Sequence, residues 1–239
     1  MPSRIVNEIC ERVRNMPRMA FILDTSFVFG SGSEHTAAYL DFDYASDVNE
    51  AAEHVRNVES LLNQNKTIIV PIEVRQEINE GIDTIDRVRK AIKKHNKKNQ
   101  PEYSAVSGYI NNLRRFQERS EGCDPRFLKS VGNVSFIDIE SRAYQNTWSH
   151  YQQEVFNRHM RKGKEPTIAD IAISTLAYMI QNQRVMPCIL TRDTDFESVA
   201  RSTRAQTEKR ELVLKEGRLA YLSGRDFKTS VYLPFSNVV

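Results

Sequence analysis

Short apolar runs alternate with helical stretches along most of the chain. Four runs of strand length carry few polar residues: MAFIL at 19–23, TIIVP at 67–71, NVSFIDI at 133–139 and MPCILT at 186–191. Three stretches place apolar residues at helical spacing: residues 47–65, 140–160 and 167–182. Short strands that are apolar on both faces and separated by helices are typical of a covered parallel sheet. The pattern therefore predicts an α/β fold with a central parallel sheet flanked by helices.

Two parts of the chain depart from this alternation. Residues 82–133 are basic at first and then contain a break, EGCDP, at 121–125. Because this segment connects two predicted strands, it is interpreted as a basic helical insertion rather than as a separate domain. The tail holds two short apolar runs, 211–214 and 218–222, on either side of a predicted hairpin turn at 215–217. A length of 239 residues is compatible with one domain that spans residues 1–239.

Composition is that of an ordinary globular protein. Hydrophobic residues make up 40% of the chain and charged residues 27%. No apolar stretch approaches the roughly 20 residues that a membrane-spanning helix needs. The first residues are interrupted by charges such as Glu8 and Arg12, unlike a secretory signal. We therefore expect a cytoplasmic protein without a membrane partner.

Cysteine and histidine give no sign of a disulfide framework or a zinc site. Cys10, Cys123 and Cys188 are far apart and none belongs to a CxxC pair. No two histidines stand at the i, i+4 spacing of a zinc protease motif. These residues are interpreted as parts of the core or surface.

Positive charge is concentrated rather than spread evenly over a chain of net charge +3. The segment 87–98 contains no acid, and its basic residues are Arg87, Arg89, Lys90, Lys93, Lys94, Lys97 and Lys98. A second basic cluster lies at 158–164. Such a run is either a solvated helix face or a surface that binds a phosphate backbone and releases counterions.

Carboxylates are predicted to gather at one edge of the sheet. Asp24 directly follows the first apolar run, and Asp193 and Asp195 follow the last. Glu77 lies in the helix after the second run, and Asp170 lies in the first turn of the helix after Pro166. In open α/β sheets, ligands bind beyond the carboxyl ends of the strands. Each acid could instead be a helix cap or a surface residue, but four caps need not share one edge.

Clustered carboxylates repel one another unless a cation compensates their charge. Mg²⁺ and Mn²⁺ are hard cations that prefer carboxylate oxygens and retain exchangeable water. Together with the basic segments, this favours the hydrolysis of a phosphodiester, with two ions about 3.5 to 4 Å apart.

Four motifs resemble those of the PIN-domain nucleases. The matching stretches, in order, are FILDTSFVFG, VPIEVRQEI, TIADIAISTLAY and ILTRDTDF, and VSFIDIESRAY stands where the family has its middle strand and following helix. The resemblance runs from about residue 19 to residue 200. It implies a PIN-like fold and a metal-dependent ribonuclease.

Carried over residue by residue, the resemblance implies a set of site residues. The implied metal ligands, for Mg²⁺ or Mn²⁺, are Asp24, Glu77, Asp170 and Asp193, with Asp195 as a further acid. The implied supporting hydroxyls are those of Thr25, Ser26 and Thr191. Glu73 is the alternative to Glu77, which is preferred because it precedes the branched residue Ile78.

The resemblance leaves substrate and partners open. RNA is the implied substrate, homodimers are frequent in the family, and an antitoxin-like protein partner is a further option. The insertion at about 82–133 and a C-terminal extension from about 205 depart from the family pattern. Two alternatives remain: a catalytically silent module for nucleic-acid binding or assembly, and a structure-specific DNA nuclease. A nucleotide-binding Gly-x-x-x-x-Gly-Lys loop and a Gly-x-Ser-x-Gly elbow are both absent from the sequence.

Overall fold

The structure, a computed structural model, describes most of the chain. The described residues are 19–29, 45–63, 67–95, 101–162, 167–191, 219–224 and 227–232. The predicted acids Asp193 and Asp195, the basic residues Lys97 and Lys98 and the predicted turn at 215–217 lie outside them. The side chains of Lys94 and of the basic cluster at 158–164 are likewise outside the description.

The described residues form seven strands and six helices. The strands are β1 (Met19–Leu23), β2 (Thr67–Ile69), β3 (Ser130–Val131), β4 (Val134–Ser135), β5 (Met186–Thr191), β6 (Leu219–Gly224) and β7 (Phe227–Tyr232). The helices are α1 (Thr25–Phe29), α2 (Ala45–Leu62), α3 (Ile72–His95), α4 (Pro101–Arg119), α5 (Arg142–Lys162) and α6 (Ile168–Asn182).

The main sheet has the strand order β2-β1-β5-β7-β6. Strand β1 is parallel to β2 on one side and to β5 on the other, so that Ile22 lies opposite both Ile69 and Ile189. Strand β7 adds to β5 in the antiparallel direction, and β6 pairs with β7. The prediction of an α/β fold with parallel strands flanked by helices is therefore confirmed in this coarse form.

The prediction that residues 133–139 form a strand of the parallel sheet is wrong. Only Val134 and Ser135 are in a strand, and they pair with β3 in a separate antiparallel hairpin. Val134 and Ile137 are buried, whereas Phe136 is half exposed, so the run is not apolar on two covered faces. Hydrogen bonds hold this hairpin at the start of β2, where Asn133 N donates to Thr67 Oγ1 at 3.0 Å.

The tail forms a hairpin between two strands that the structure describes, β6 and β7. The second predicted run, 218–222, contributes most of β6, and its partner is residues 227–232. The first run, 211–214, lies outside the described residues.

The segment 82–133 is helical over much of its length and contributes to the core. Helix α4 buries Tyr109, Ile110, Leu113 and Phe116, and it packs against α2. The Tyr109 hydroxyl donates a 2.8 Å hydrogen bond to the carbonyl of Phe29 in α1. Full burial of each such apolar side chain contributes about 1.5–3 kcal/mol, so α4 is a structural layer of the fold.

The helices around the sheet are placed largely as their apolar patterns predict. Thr167 caps α6, because its Oγ1 accepts a 3.2 Å hydrogen bond from Asp170 N. Tyr151 of α5 meets Tyr178 of α6 with ring centroids 6.5 Å apart. Tyr151 thus packs α5 against a neighbouring helix, whereas Tyr144 stacks on Trp148 of its own helix. No helix in the described ranges combines the length and the apolar character needed to cross a bilayer.

Candidate active site

Asp24 lies where β1 ends and α1 begins. Its backbone N donates to Leu190 O at 3.0 Å, which joins the carboxyl ends of β1 and β5. Its carbonyl accepts hydrogen bonds from Phe27 N and Val28 N, which starts the helix α1. The side chain is only 6% exposed, so this carboxylate is held inside the edge of the sheet.

Two hydroxyls bind the same oxygen of Asp24. Thr191, the last residue of β5, donates from Oγ1 to Asp24 Oδ2 at 2.7 Å. Ser26 Oγ also donates to Asp24 Oδ2 and lies 3.2 Å from Thr191 Oγ1. The carboxylate is thus fixed from its own helix and from a strand 167 positions later in the chain.

Glu77 faces this group from α3. Thr25 Oγ1 donates a 2.5 Å hydrogen bond to Glu77 Oε2. Burial raises the pKa of Glu77 to about 7, against an ordinary value of 4.5. The Thr25 hydrogen bond opposes this shift in the pKa, and the negative charge of Asp24 adds to it. Asp24 and Glu77 therefore form a partly buried pair of carboxylates in which each disfavours the charge of the other.

Asp170 lies in the first turn of α6. This helix packs against β1 and β5, and it leads into β5 through residues 183–185. Helix and strand therefore run in roughly opposite directions, and a place for the Asp170 carboxylate beside Asp24 and Glu77 stays a prediction. The backbone carbonyl of Asp170 accepts a 2.6 Å hydrogen bond from Ser174 Oγ.

Glu73, the alternative to Glu77, has a different partner. It lies in the first turn of α3, and its Oε1 accepts a 2.8 Å hydrogen bond from Arg126 Nη1. Its Oε2 binds Arg126 Nη2. Both oxygens of Glu73 are therefore bound by one guanidinium group.

Arg126 is the centre of a buried ionic cluster that sequence reasoning missed. Its guanidinium also binds Asp124, with 2.7 Å between Nη2 and Oδ2, and it donates to the Tyr144 hydroxyl at 3.2 Å. Burial disfavours the charged guanidinium, but hydrogen bonds to Glu73 and Asp124 outweigh burial and raise the pKa of Arg126. Asp124 Oδ2 further accepts a 3.1 Å hydrogen bond from Ile72 N at the start of α3. The cluster thus anchors the beginning of the helix that carries Glu77.

The basic segment of α3 is partly neutralised by Asp86, which directly precedes it. Lys90 Nζ lies 2.8 Å from Asp86 Oδ2, and Arg89 is also paired with Asp86. The hydrogen bond from Lys90 lowers the pKa of Asp86. Arg87 Nη2 donates to Thr84 Oγ1 at 3.1 Å, whereas Lys93 is exposed. Lys93 is the last of the predicted phosphate contacts whose side chain the structure describes.

The oxygen ligands at this edge suit a hard divalent cation. Asp24 and Glu77 are close enough for the charge of one to raise the pKa of the other, which a bound cation would relieve. Within the described ranges, however, no group of three or more His, Cys, Asp or Glu side chains is arranged to hold a metal ion. The described part of the predicted site is therefore the Asp24–Glu77 pair with its three hydroxyls.

No family model, curated protein or solved structure matches this chain. The resemblance to the PIN-domain nucleases therefore depends on the four sequence motifs and stays a prediction.

Proposed function

We propose that this protein is a divalent-metal-dependent ribonuclease that hydrolyses phosphodiester bonds with the carboxylates of Asp24, Glu77, Asp170 and Asp193. The observation that carries the proposal is the Asp24–Glu77 pair at the carboxyl edge of a parallel sheet. Each acid makes ionisation of the other less favourable, so without a cation the pair destabilises the folded protein. A cation bound between the two carboxylates would offset this destabilisation.

The surrounding hydroxyls support a site that is ordered before ligands arrive. Thr191 and Ser26 hold one oxygen of Asp24, which leaves the carboxylate in a fixed orientation. Thr25 does the same for Glu77. Because the hydroxyls come from β5 and α1 and Glu77 comes from α3, the arrangement forms only when the edge of the sheet is folded. Preorganised ligands of this kind favour binding, since little conformational freedom remains to be lost.

The carboxylates and the basic residues would carry different parts of the reaction. Asp24 and Glu77 would hold Mg²⁺ or Mn²⁺ together with Asp170 and Asp193. When bound, such an ion supplies Lewis-acid activation of water and neutralises charge on the phosphate. Glu77, with a pKa of about 7, exchanges its proton close to neutral pH. The basic residues of 87–98 would contact the phosphate backbone of the RNA.

Cleavage of labelled single-stranded RNA tests the proposal. We expect cleavage with Mn²⁺, none with EDTA, and a loss of about 100-fold or more in Asp24→Asn, because removal of a group at the reacting centre costs several kcal/mol of transition-state stabilisation. The matched control is Glu53→Gln, which neutralises an exposed acid on α2. Metal-independent cleavage, or an Asp24→Asn protein as active as the parent, contradicts the proposal.

The same samples separate the alternatives. RNA binding without cleavage, together with no Mn²⁺ site that is lost in Asp170→Asn, would identify a silent module. Preferential cleavage of flapped DNA over RNA in competition would identify a structure-specific DNA nuclease.

A further inference from the structure

Glu73 and Glu77 stand one helical turn apart on α3. Residues at i and i+4 lie on the same face of a helix, with about 5–6 Å between their Cβ atoms. The charge of Glu73 is among those that raise the pKa of Glu77, so the two groups are within electrostatic reach. Two carboxylates from one helix could therefore compete for the same cation.

Arg126 removes Glu73 from this competition. The guanidinium is 5% exposed and uses Nη1 and Nη2 to bind both oxygens of Glu73. Its Nε and Nη2 also bind Asp124, at 3.1 Å from Nε to Oδ1. A planar fork of this kind holds carboxylates in a defined orientation, which the single nitrogen of a lysine does not.

The contacts of Asp124 and Tyr144 hold the guanidinium in place. Asp124 Oδ1 accepts a 3.0 Å hydrogen bond from the backbone N of Arg126, and Asp124 Oδ2 accepts one from Ile72 N. The Tyr144 hydroxyl, from α5, contacts Nη1. The orientation of Glu73 is thus determined by the loop after α4 and by α5, both distant in sequence from α3.

We infer that Arg126 is a positioning residue that holds Glu73 away from the carboxylate site, so that α3 offers a single carboxylate, Glu77, to the cation. The inference rests on the proposed function. It assigns to Arg126 a role in the selection of metal ligands, besides its role in anchoring α3.

Mn²⁺ titration calorimetry and RNA cleavage of Arg126→Gln test this role. We expect the Mn²⁺ affinity to rise, because a released Glu73 adds a hard oxygen ligand and one uncompensated negative charge. We expect kcat to fall by about 10- to 100-fold, the usual effect of losing a group that orients metal ligands. A purely structural role would lower Mn²⁺ affinity and kcat together.

The matched variants are Glu73→Gln and the double variant Glu73→Gln/Arg126→Gln. Glu73→Gln should keep most of the parent's Mn²⁺ affinity and kcat, because Glu73 is not a ligand while Arg126 holds it and acts on Glu77 only through its charge. The double variant should regain the parent's Mn²⁺ affinity and kcat. Its melting temperature should stay below that of the parent, because the ionic cluster around Arg126 is not restored. A loss of Mn²⁺ affinity in Glu73→Gln as large as that in Asp24→Asn, or no recovery in the double variant, overturns the inference.

Arg126→Lys covers the case in which Arg126→Gln does not fold. Lysine keeps the buried positive charge but cannot bind both oxygens of Glu73 in the same way. We expect a smaller rise in Mn²⁺ affinity and a smaller fall in kcat than in Arg126→Gln. A loss of both Mn²⁺ affinity and kcat would again overturn the inference. If the parent protein neither binds Mn²⁺ nor cleaves RNA, the proposed function itself has failed. If the parent does both and only the variants disagree, the role of Arg126 alone is wrong.

Discussion

The hydroxyl of Thr25 donates a 2.5 Å hydrogen bond to the carboxylate of Glu77, 52 positions later in the chain. Thr25 is the first residue of α1 and directly follows Asp24, so this bond fixes Glu77 relative to Asp24. The beginning of α1 and the second turn of α3 are therefore held together at the edge of the sheet.

The raised pKa of Glu77 predicts how stability depends on pH. Between about pH 4.5 and pH 7 the folded protein binds this proton more tightly than the unfolded chain does. The free energy of unfolding should therefore fall as pH rises through this range, by up to about 3 kcal/mol, since one pKa unit corresponds to about 1.4 kcal/mol. Glu77→Gln should lose this dependence and should be more stable than the parent at pH 8. Urea unfolding at a series of pH values in EDTA measures both effects.

Asp83→Asn is the matched control for this measurement, because Asp83 is exposed on the same helix and is not among the charges that raise the pKa of Glu77. Its unfolding should keep the pH dependence of the parent. Equal slopes in the parent and in Glu77→Gln would show that Glu77 titrates normally in the folded protein.

Divalent ions should stabilise the folded protein. A ligand that binds only the native state at 100 times its Kd adds about 2.7 kcal/mol to the free energy of unfolding. We expect Mn²⁺ to raise the melting temperature of the parent, and EDTA to reverse the increase. Asp24→Asn should show little of this shift, whereas the Glu53→Gln control should show all of it. An equal Mn²⁺ shift in Asp24→Asn would place the ion elsewhere.

Two helical glycines should respond in opposite ways to substitution by alanine, because only one of them is closely packed. A Cβ at Gly81 of α3 would overlap the ring of Phe29, whereas a Cβ at Gly108 of α4 meets nothing within 4 Å. Gly81→Ala should therefore destabilise the protein by about 1–3 kcal/mol, the usual cost of overpacking. Gly108→Ala should stabilise it by about 0.5–1 kcal/mol, because alanine loses less conformational freedom in a helix. Thermal unfolding of the two variants decides, and a stabilising Gly81→Ala would contradict the packing of α1 on α3.

The basic segment should contribute to RNA binding through charge. Reversal to Glu at Lys93, Lys94, Lys97 and Lys98 should weaken binding and flatten its salt dependence. Each lost phosphate contact lowers the slope of log K against log salt by about 0.7 for a single strand. Fluorescence anisotropy at several salt concentrations measures the slope. The control is Lys129→Glu, an exposed lysine outside the segment, and an unchanged slope in the fourfold variant would exclude 87–98 from the binding surface.

The parallel strands were predictable because their apolar character is local. MAFIL, TIIVP and MPCILT are apolar at nearly every position, which is what a strand covered on both faces requires. NVSFIDI looked similar, but its buried Val134 and Ile137 are separated by an exposed Ser135 and a half-exposed Phe136. Over so few residues, the apolar pattern of a segment that is buried on one side only is hard to distinguish from that of a central strand.

The site was only partly predictable. Asp24 and Thr191 could be assigned to one edge because each stands at or just after the end of an apolar run, and Glu77 because it lies early in the helix that follows such a run. The partnership of Glu73 with Arg126 could not be predicted, since 53 positions separate them and neither belongs to a periodic pattern. An arginine in the loop after a helix looks solvated in the sequence, and only the tertiary fold encloses it.

Strand β1 has a parallel neighbour on each side, and the amide of Asp24 extends that bonding to Leu190. Amides in such a doubly flanked strand exchange with solvent deuterium mainly when the whole molecule opens. The carboxylate that begins the candidate site should therefore be carried by slowly exchanging backbone, and its surroundings should persist until the protein unfolds as a unit.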